Sequence, residues 1–126
     1  MNQPAIIARN LTRDFKTVRA VSQLNLEIPS GIVFGFLGPN GSGKTTTIRL
    51  LLGLLEPTGG EAQVFGLDTR TQAGAIREQT GVLLEHTGLY ERLSAEENLD
   101  YYARIYHLAP AERKARVQEM LEHIGL

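Results

Sequence analysis

The stretch Gly38-Pro39-Asn40-Gly41-Ser42-Gly43-Lys44-Thr45 decides the fold of this chain of 126 residues. It carries a glycine, four free positions, a glycine, a lysine and then serine or threonine, which is the pattern of a phosphate-binding loop. At average residue usage, that pattern arises by chance at roughly 4 in 100,000 positions. An apolar run (residues 32–37) precedes the loop, and a helix-compatible run (residues 45–52) follows it. This order predicts an α/β nucleotide-binding unit.

Each fixed position of the loop has a chemical reason. Glycines such as Gly41 and Gly43 let backbone N–H groups curl around a phosphate, and the start of the following helix adds a positive dipole end. The Lys44 ammonium is expected between the β- and γ-phosphates of a bound nucleotide, and the Thr45 hydroxyl is expected to ligate the bridging Mg²⁺. The loop alone leaves kinases, GTPases and helicases open. The other predicted nucleotide contacts here are Gly38, Asn40, Ser42 and Thr46. The alternative is a glycine-rich turn with an incidental surface lysine.

Composition narrows the class of protein. Hydrophobic residues make up 42% and charged residues 21%, which favours one globular unit. The net charge is -1 with both signs mixed along the chain, so no basic patch points to nucleic acid. The absence of cysteine excludes disulfides and thiolate metal sites and fits a reducing, cytoplasmic setting. The apolar runs are far shorter than the roughly 20 residues of a spanning helix, so we expect any membrane role to be peripheral.

The remaining segments divide into strands and helices. Residues 5–11 and the alternating residues 24–28 predict a small antiparallel layer, and residues 62–65 predict another short strand. Residues 81–84 read as a second buried strand beside residues 32–37. A weaker helix is expected over residues 72–79.

Beyond Gly88 the pattern becomes helical. Ser94 and Glu97 form a capping-box pattern, and Pro110 is placed to open a further helix that stops at Gly125. The apolar positions that share a helical face are Leu99, Tyr102, Ala103 and Tyr106 in the first helix and Val117, Met120, Leu121 and Ile124 in the second.

Residues 11–28, 38–55, 57–60 and 81–99 together resemble the ABC transporter ATPase family, and the resemblance covers essentially the whole chain. It implies the P-loop NTPase fold (ABC ATPase-like): an incomplete RecA-like core with an N-terminal antiparallel β layer and the start of the α-helical subdomain. Residues 1–93 would then belong to the nucleotide-binding core and residues 94–126 to the helical subdomain.

The resemblance also implies site residues. Phe15 matches the aromatic residue that stacks on adenine in the family, and the alternative is a core residue at a strand end. Val21 resembles the second adenine-side contact. Where the family usually has a glutamine that contacts Mg²⁺ or the attacking water, this chain has Glu85. A carboxylate can ligate Mg²⁺ but cannot donate a hydrogen bond when ionised, and the alternative is a solvated strand-end residue.

The resemblance implies that the chain is the ATP-binding subunit of a membrane exporter. This subunit would lie peripherally on the inner face of the cell membrane. Its expected partners are a transmembrane subunit and a second nucleotide-binding domain. The family's Leu-Ser-Gly-Gly-Gln signature, second acidic Mg²⁺ site, catalytic glutamate and switch histidine do not occur before Leu126. We therefore expect nucleotide binding with little hydrolysis, and marginal stability. The alternatives are a soluble ABC-type ATPase and a non-catalytic nucleotide-binding remnant.

Overall fold

Four strands and four helices form the regular structure of the described residues, 3–86 and 88–126, in a computed structural model. The chain divides into two compact units, Met1–Gly81 and Val82–Leu126. The first unit contains the sheet and two helices, and the second contains the other two helices. The boundary between the nucleotide-binding core and the helical subdomain, expected after residue 93, stays a prediction.

The sheet of the first unit is antiparallel throughout. Strands β1 (Pro4–Phe15) and β2 (Val18–Pro29) form a long hairpin, in which Phe15 pairs with Val18 across a two-residue turn. Strand β3 (Gly59–Val64) pairs with the other edge of β1, and the short β4 (Leu67–Asp68) follows, giving the order β2-β1-β3-β4. The predicted antiparallel layer is confirmed.

Helix α1 (Lys44–Leu51) closes the core of this unit against the sheet. The helix expected over residues 45–52 is confirmed, and Gly53, directly after it, takes a positive φ of 67° that ends the helical turn. Helix α2 (Ala73–Glu78) lies where the weaker helix was expected. The buried core residues are Ala8, Leu11, Val21, Leu50 and Ala62. This packing fixes the start of α1, and therefore the loop before it, on the hairpin.

Two strand predictions were wrong. Neither residues 32–37 nor residues 81–84 form a strand in the described chain. A strand needs a hydrogen-bonded neighbour, and the four-stranded sheet supplies none to either segment. Their apolar side chains lie open instead, with Val33 101% and Leu37 93% exposed. The apolar patterns matched buried strands, but local sequence cannot supply the neighbours that bury them.

The second unit is a pair of helices, α3 (Ala95–Ile105) and α4 (Pro110–His123). The capping box is confirmed: Ser94 Oγ accepts from the Glu97 N–H, and the Glu97 carboxylate accepts from the Ser94 N–H. The Pro110 start and the stop near Gly125, which has φ 78°, are also as expected. No helix in the described ranges 3–86 and 88–126 is long and apolar enough to cross a bilayer.

Candidate nucleotide-binding site

The loop before α1 has the backbone conformation that its glycines predict. Gly41 and Gly43 have φ values of 84° and 92°, which side-chain-bearing residues rarely adopt. The Ser42 N–H donates to the Pro39 carbonyl at 3.2 Å, which closes a tight turn. A Cβ at Gly38 would lie 2.7 Å from Ser42 Oγ, so a side chain there would require that hydroxyl to rotate away. The segment curls closely enough to form a phosphate cradle.

The N-terminus of α1 supplies anion-binding groups. The first N–H groups of any helix lack intrahelical acceptors, and the helix dipole makes that end positive. Gly43 is the N-cap, and among the described residues no side chain caps this end by a hydrogen bond and no acidic residue lies in the first turn. This end of α1 therefore fits a phosphate without competition from an acidic side chain.

Lys44 folds back over the loop. Its ammonium donates to the carbonyl oxygens of Gly38 and Pro39, at 2.8 Å for the latter, and to Ser42 Oγ at 3.2 Å. All three acceptors are neutral, whereas charge-assisted hydrogen bonds to phosphate oxygens are roughly twice as strong. The ammonium is thus held inside the curve of the loop, where a phosphate would be its stronger partner.

The threonines after Lys44 have different environments. Thr45 is exposed, Thr46 is half-buried, and Thr47 is buried with its hydroxyl donating to the Gly43 carbonyl at 2.8 Å. The predicted contacts Asn40 and Ser42 are exposed. A hydroxyl oxygen is a suitable ligand for Mg²⁺, so the accessible Thr45 fits the predicted metal role and Thr47 has a structural one.

Phe15 lies at the end of β1, beside the turn of the hairpin. Its ring is 40% exposed, so in this structure it is not a core residue. The guanidinium carbon of Arg13 lies 4.6 Å from the ring centroid. Sequence reasoning missed Arg13, although residues two apart on a strand share a face.

Val21 and Glu85 are placed differently from Phe15. Val21 is 6% exposed and belongs to the core, so its observed role is packing beneath the loop. Glu85 is exposed, in a segment without regular structure in the Val82–Leu126 unit. The adenine contact of Val21 and the catalytic and metal roles of Glu85 stay predictions.

In the second unit, Asn98 has a structural role that the sequence analysis did not predict. It is 7% exposed and holds the loop before α3. Its Oδ1 accepts from the Tyr90 N–H at 2.9 Å, and its amide donates to the carbonyls of Tyr90, Leu93 and Ser94 at 3.0 to 3.2 Å. One buried amide therefore fixes the conformation of this loop.

Asp100 joins the two helices of the same unit. Its carboxylate accepts from Arg104 Nε at 2.8 Å and from Arg113 Nε, on α4, at 2.7 Å. Partial desolvation tends to raise the pKa of Asp100, but the hydrogen bonds and charges of the two arginines hold that pKa below its ordinary value. The ion pair between Asp100 and Arg113 therefore contributes to the packing of α3 against α4.

Comparison with known proteins agrees with this geometry. The family model described as ABC transporter matches residues 21–126. The ABC transporter ATP-binding protein NatA of Bacillus subtilis (strain 168) is 44% identical over 112 residues, which are 88% of this chain and 46% of NatA. The daunorubicin/doxorubicin resistance ATP-binding protein DrrA of Streptomyces peucetius is 38% identical over 122 residues, which are 97% of this chain and 37% of DrrA.

A solved structure shares the fold as well. The dimeric post-hydrolysis state of the ATP-binding cassette MJ0796, bound to ADP and Pi, matches with a TM-score of 0.81 and 26% identity over 93% of this chain and 56% of that one. The predicted P-loop fold with a partial core is therefore confirmed. The chain spans about half the length, or less, of the relatives that it matches. From its match over residues 21–126, the chain belongs to the ABC transporter family.

Proposed function

We propose that this chain is the nucleotide-binding part of the ATP-binding subunit of an ABC membrane transporter. The observation that carries the proposal is the loop before α1, where the left-handed Gly41 and Gly43, the uncapped helix start and the folded-back Lys44 stand together. These are the groups that a triphosphate requires.

ATP would use the chain's own groups in three ways. Backbone N–H groups of the loop and of the first turn of α1 would donate to phosphate oxygens, and Lys44 would exchange its neutral acceptors for the β- and γ-phosphates. The half-exposed ring of Phe15 would stack on the base. Mg²⁺, with Thr45 as its protein ligand and Glu85 as a further candidate, would neutralise phosphate charge.

We expect little hydrolysis by this chain alone. Phosphoryl transfer needs a group that positions the attacking water and groups that stabilise charge on the transferred phosphoryl. Lys44 supplies part of that charge, but the sequence contains no Leu-Ser-Gly-Gly-Gln motif and no Asp-Glu pair. In our proposal, a second nucleotide-binding domain completes the site, as the dimeric form of the MJ0796 relative suggests.

Export is the direction that the relatives favour. DrrA is named for daunorubicin/doxorubicin resistance, and removal of a toxic compound is a natural route to resistance. We propose a peripheral location on the cytoplasmic face of the membrane, where the subunit would meet both ATP and a transmembrane partner. The transported molecule would be selected by that partner.

Isothermal titration of the chain with MgATP, with phosphate release followed in the same samples, tests the proposal. It predicts saturable binding of one nucleotide per chain and phosphate release no faster than the buffer background. Absence of binding by a chain with a folded circular dichroism spectrum would contradict the nucleotide site. Multiple turnovers by the isolated chain would instead contradict the need for a completing domain.

A further inference from the structure

Arg13 makes two contacts that no part of the phosphate loop explains. Its Nη1 donates to the carbonyl oxygen of Glu56 at 2.6 Å, across 43 positions of the sequence. Its guanidinium carbon lies 4.6 Å from the centroid of Phe15. Within the described chain its Nε is buried without a hydrogen-bond partner, and the residue as a whole is half-buried. Arg13 therefore connects Glu56 to an aromatic ring.

The geometry constrains the ring. A guanidinium at this distance is attracted to the ring face by the quadrupole, and its planar shape stacks there. Because Nη1 also donates to the Glu56 carbonyl, that hydrogen bond helps to hold the guanidinium over one face of Phe15. Phe15 as a whole is still 40% exposed, which leaves surface for a second flat group.

The end of β1 that carries Arg13 and Phe15 is also held by hydrogen bonds. Asp14 N–H donates to Thr58 Oγ1 at 3.0 Å, and Thr58 N–H donates to the Thr12 carbonyl at 2.9 Å. The end of β1 is thus attached to the segment that follows α1, the helix that begins at Lys44. On its other side, Arg13 pairs with Val21 of β2 in the strand register. The aromatic ring and the phosphate loop belong to one connected framework.

We propose that Arg13 is a positioning residue for nucleotide binding, which holds the Phe15 ring so that its free face stacks on the base. This inference rests on the proposed ATP site and adds to it the residue that orients the base platform. Arg13 acts through Phe15 and not on the phosphates, so its effect should depend on the presence of the base.

The test compares two ligands, MgATP and magnesium tripolyphosphate, the second of which has the phosphates but no base. Arg13→Met keeps the length of the side chain and removes its charge and donors. Arg9→Met is the matched control, because Arg9 lies on the same strand, is exposed, and contacts Glu61 only at 4.0 Å. Arg13→Lys keeps a cation and a donor, and it replaces the methionine variant in the test if that variant does not fold.

We expect Arg13→Met to weaken MgATP binding on the order of tenfold, since a misoriented ring loses part of the stacking free energy with the base. Tripolyphosphate affinity should stay unchanged, Arg13→Lys should retain part of the ATP affinity, and Arg9→Met should match the parent. In a Phe15→Ala background, Arg13→Met should cause no further loss, because a residue that acts through Phe15 has nothing left to position.

Three results would overturn the inference: unchanged ATP affinity in both Arg13 variants, an equal loss for both ligands, or an additive loss in the Phe15→Ala background. The inference would also be overturned if the parent chain bound tripolyphosphate as tightly as MgATP. That result would leave the proposed phosphate site intact. Failure of the folded parent to bind either ligand would reject the proposed function itself, and the role of Arg13 with it.

Discussion

A Cβ at Gly43 would lie 2.3 Å from the carbonyl oxygen of Ala20, so the phosphate loop rests directly on the backbone of strand β2. The same imagined atom would lie 3.5 Å from Val21 Cγ2, which belongs to the core. The loop therefore derives its position from the sheet, and the fit leaves no room for a side chain at this glycine.

This contact predicts that Gly43→Ala damages both stability and binding. The variant must adopt a φ near 92° and push Ala20 away, whereas Gly41→Ala has similar backbone strain but nothing within 4 Å of its Cβ. Each left-handed alanine costs roughly 1–3 kcal/mol, and only Gly43→Ala adds a clash. Urea unfolding followed by circular dichroism should show the larger loss for Gly43→Ala. Equal losses would show that the Ala20 contact is unimportant.

Asn98→Ala should destabilise the second unit. The substitution removes the amide that accepts from the Tyr90 N–H and donates to the carbonyls of Tyr90, Leu93 and Ser94, and each lost hydrogen bond costs about 0.5–1.5 kcal/mol. Thermal unfolding measured by helical circular dichroism should occur at lower temperature. Gln118→Ala, which removes an exposed amide on α4, is the control and should unfold near the parent. A parent-like Asn98→Ala would contradict this role of the amide.

Acid should weaken the α3–α4 pair through Asp100. Desolvation opposes ionisation, but the two arginines place the folded-state pKa of Asp100 below the ordinary 3.8. The stabilisation is therefore complete above that ordinary pKa and is lost as the pH falls through the lower folded-state pKa. Compared with Asp100→Asn, the parent should lose its stability advantage on acidification from about pH 6 to about pH 2. An advantage that persists unchanged over that range would exclude a contribution from this carboxylate.

Much of this architecture could be predicted from local sequence. The loop glycines, the Ser94–Glu97 capping box and the Pro110 helix start act over a few residues, and all formed as expected. Arg13 was missed as a structural anchor because its partner is set by tertiary packing: Glu56 lies 43 positions away. The partners of Asn98 lie only four to eight positions away, but a single asparagine in a helix gives no pattern that predicts them. Likewise, the strand expected over residues 32–37 depends on neighbours that a local pattern cannot reveal.

The exposure of residues 32–37 has a consequence for solubility. Val33 is 101% exposed, so Val33→Lys should change the free energy of unfolding by less than about 0.5 kcal/mol while reducing aggregation. Val64→Lys, at a buried position of β3, should unfold the first unit and serves as the contrast. Light scattering during concentration gives the first readout and urea unfolding the second. A strongly destabilising Val33→Lys would mean that this segment is buried in solution.

The central claim is that the loop before α1 binds a nucleotide through Lys44. Equilibrium binding of a fluorescent ATP analogue with Mg²⁺ tests it most directly, in the parent, in Lys44→Ala and in Lys114→Ala, which removes an exposed lysine of α4. The account predicts saturable binding by the parent and Lys114→Ala, and loss of most affinity in Lys44→Ala despite an unchanged circular dichroism spectrum. Equal affinity in all three folded chains, or no binding by the parent, would contradict it.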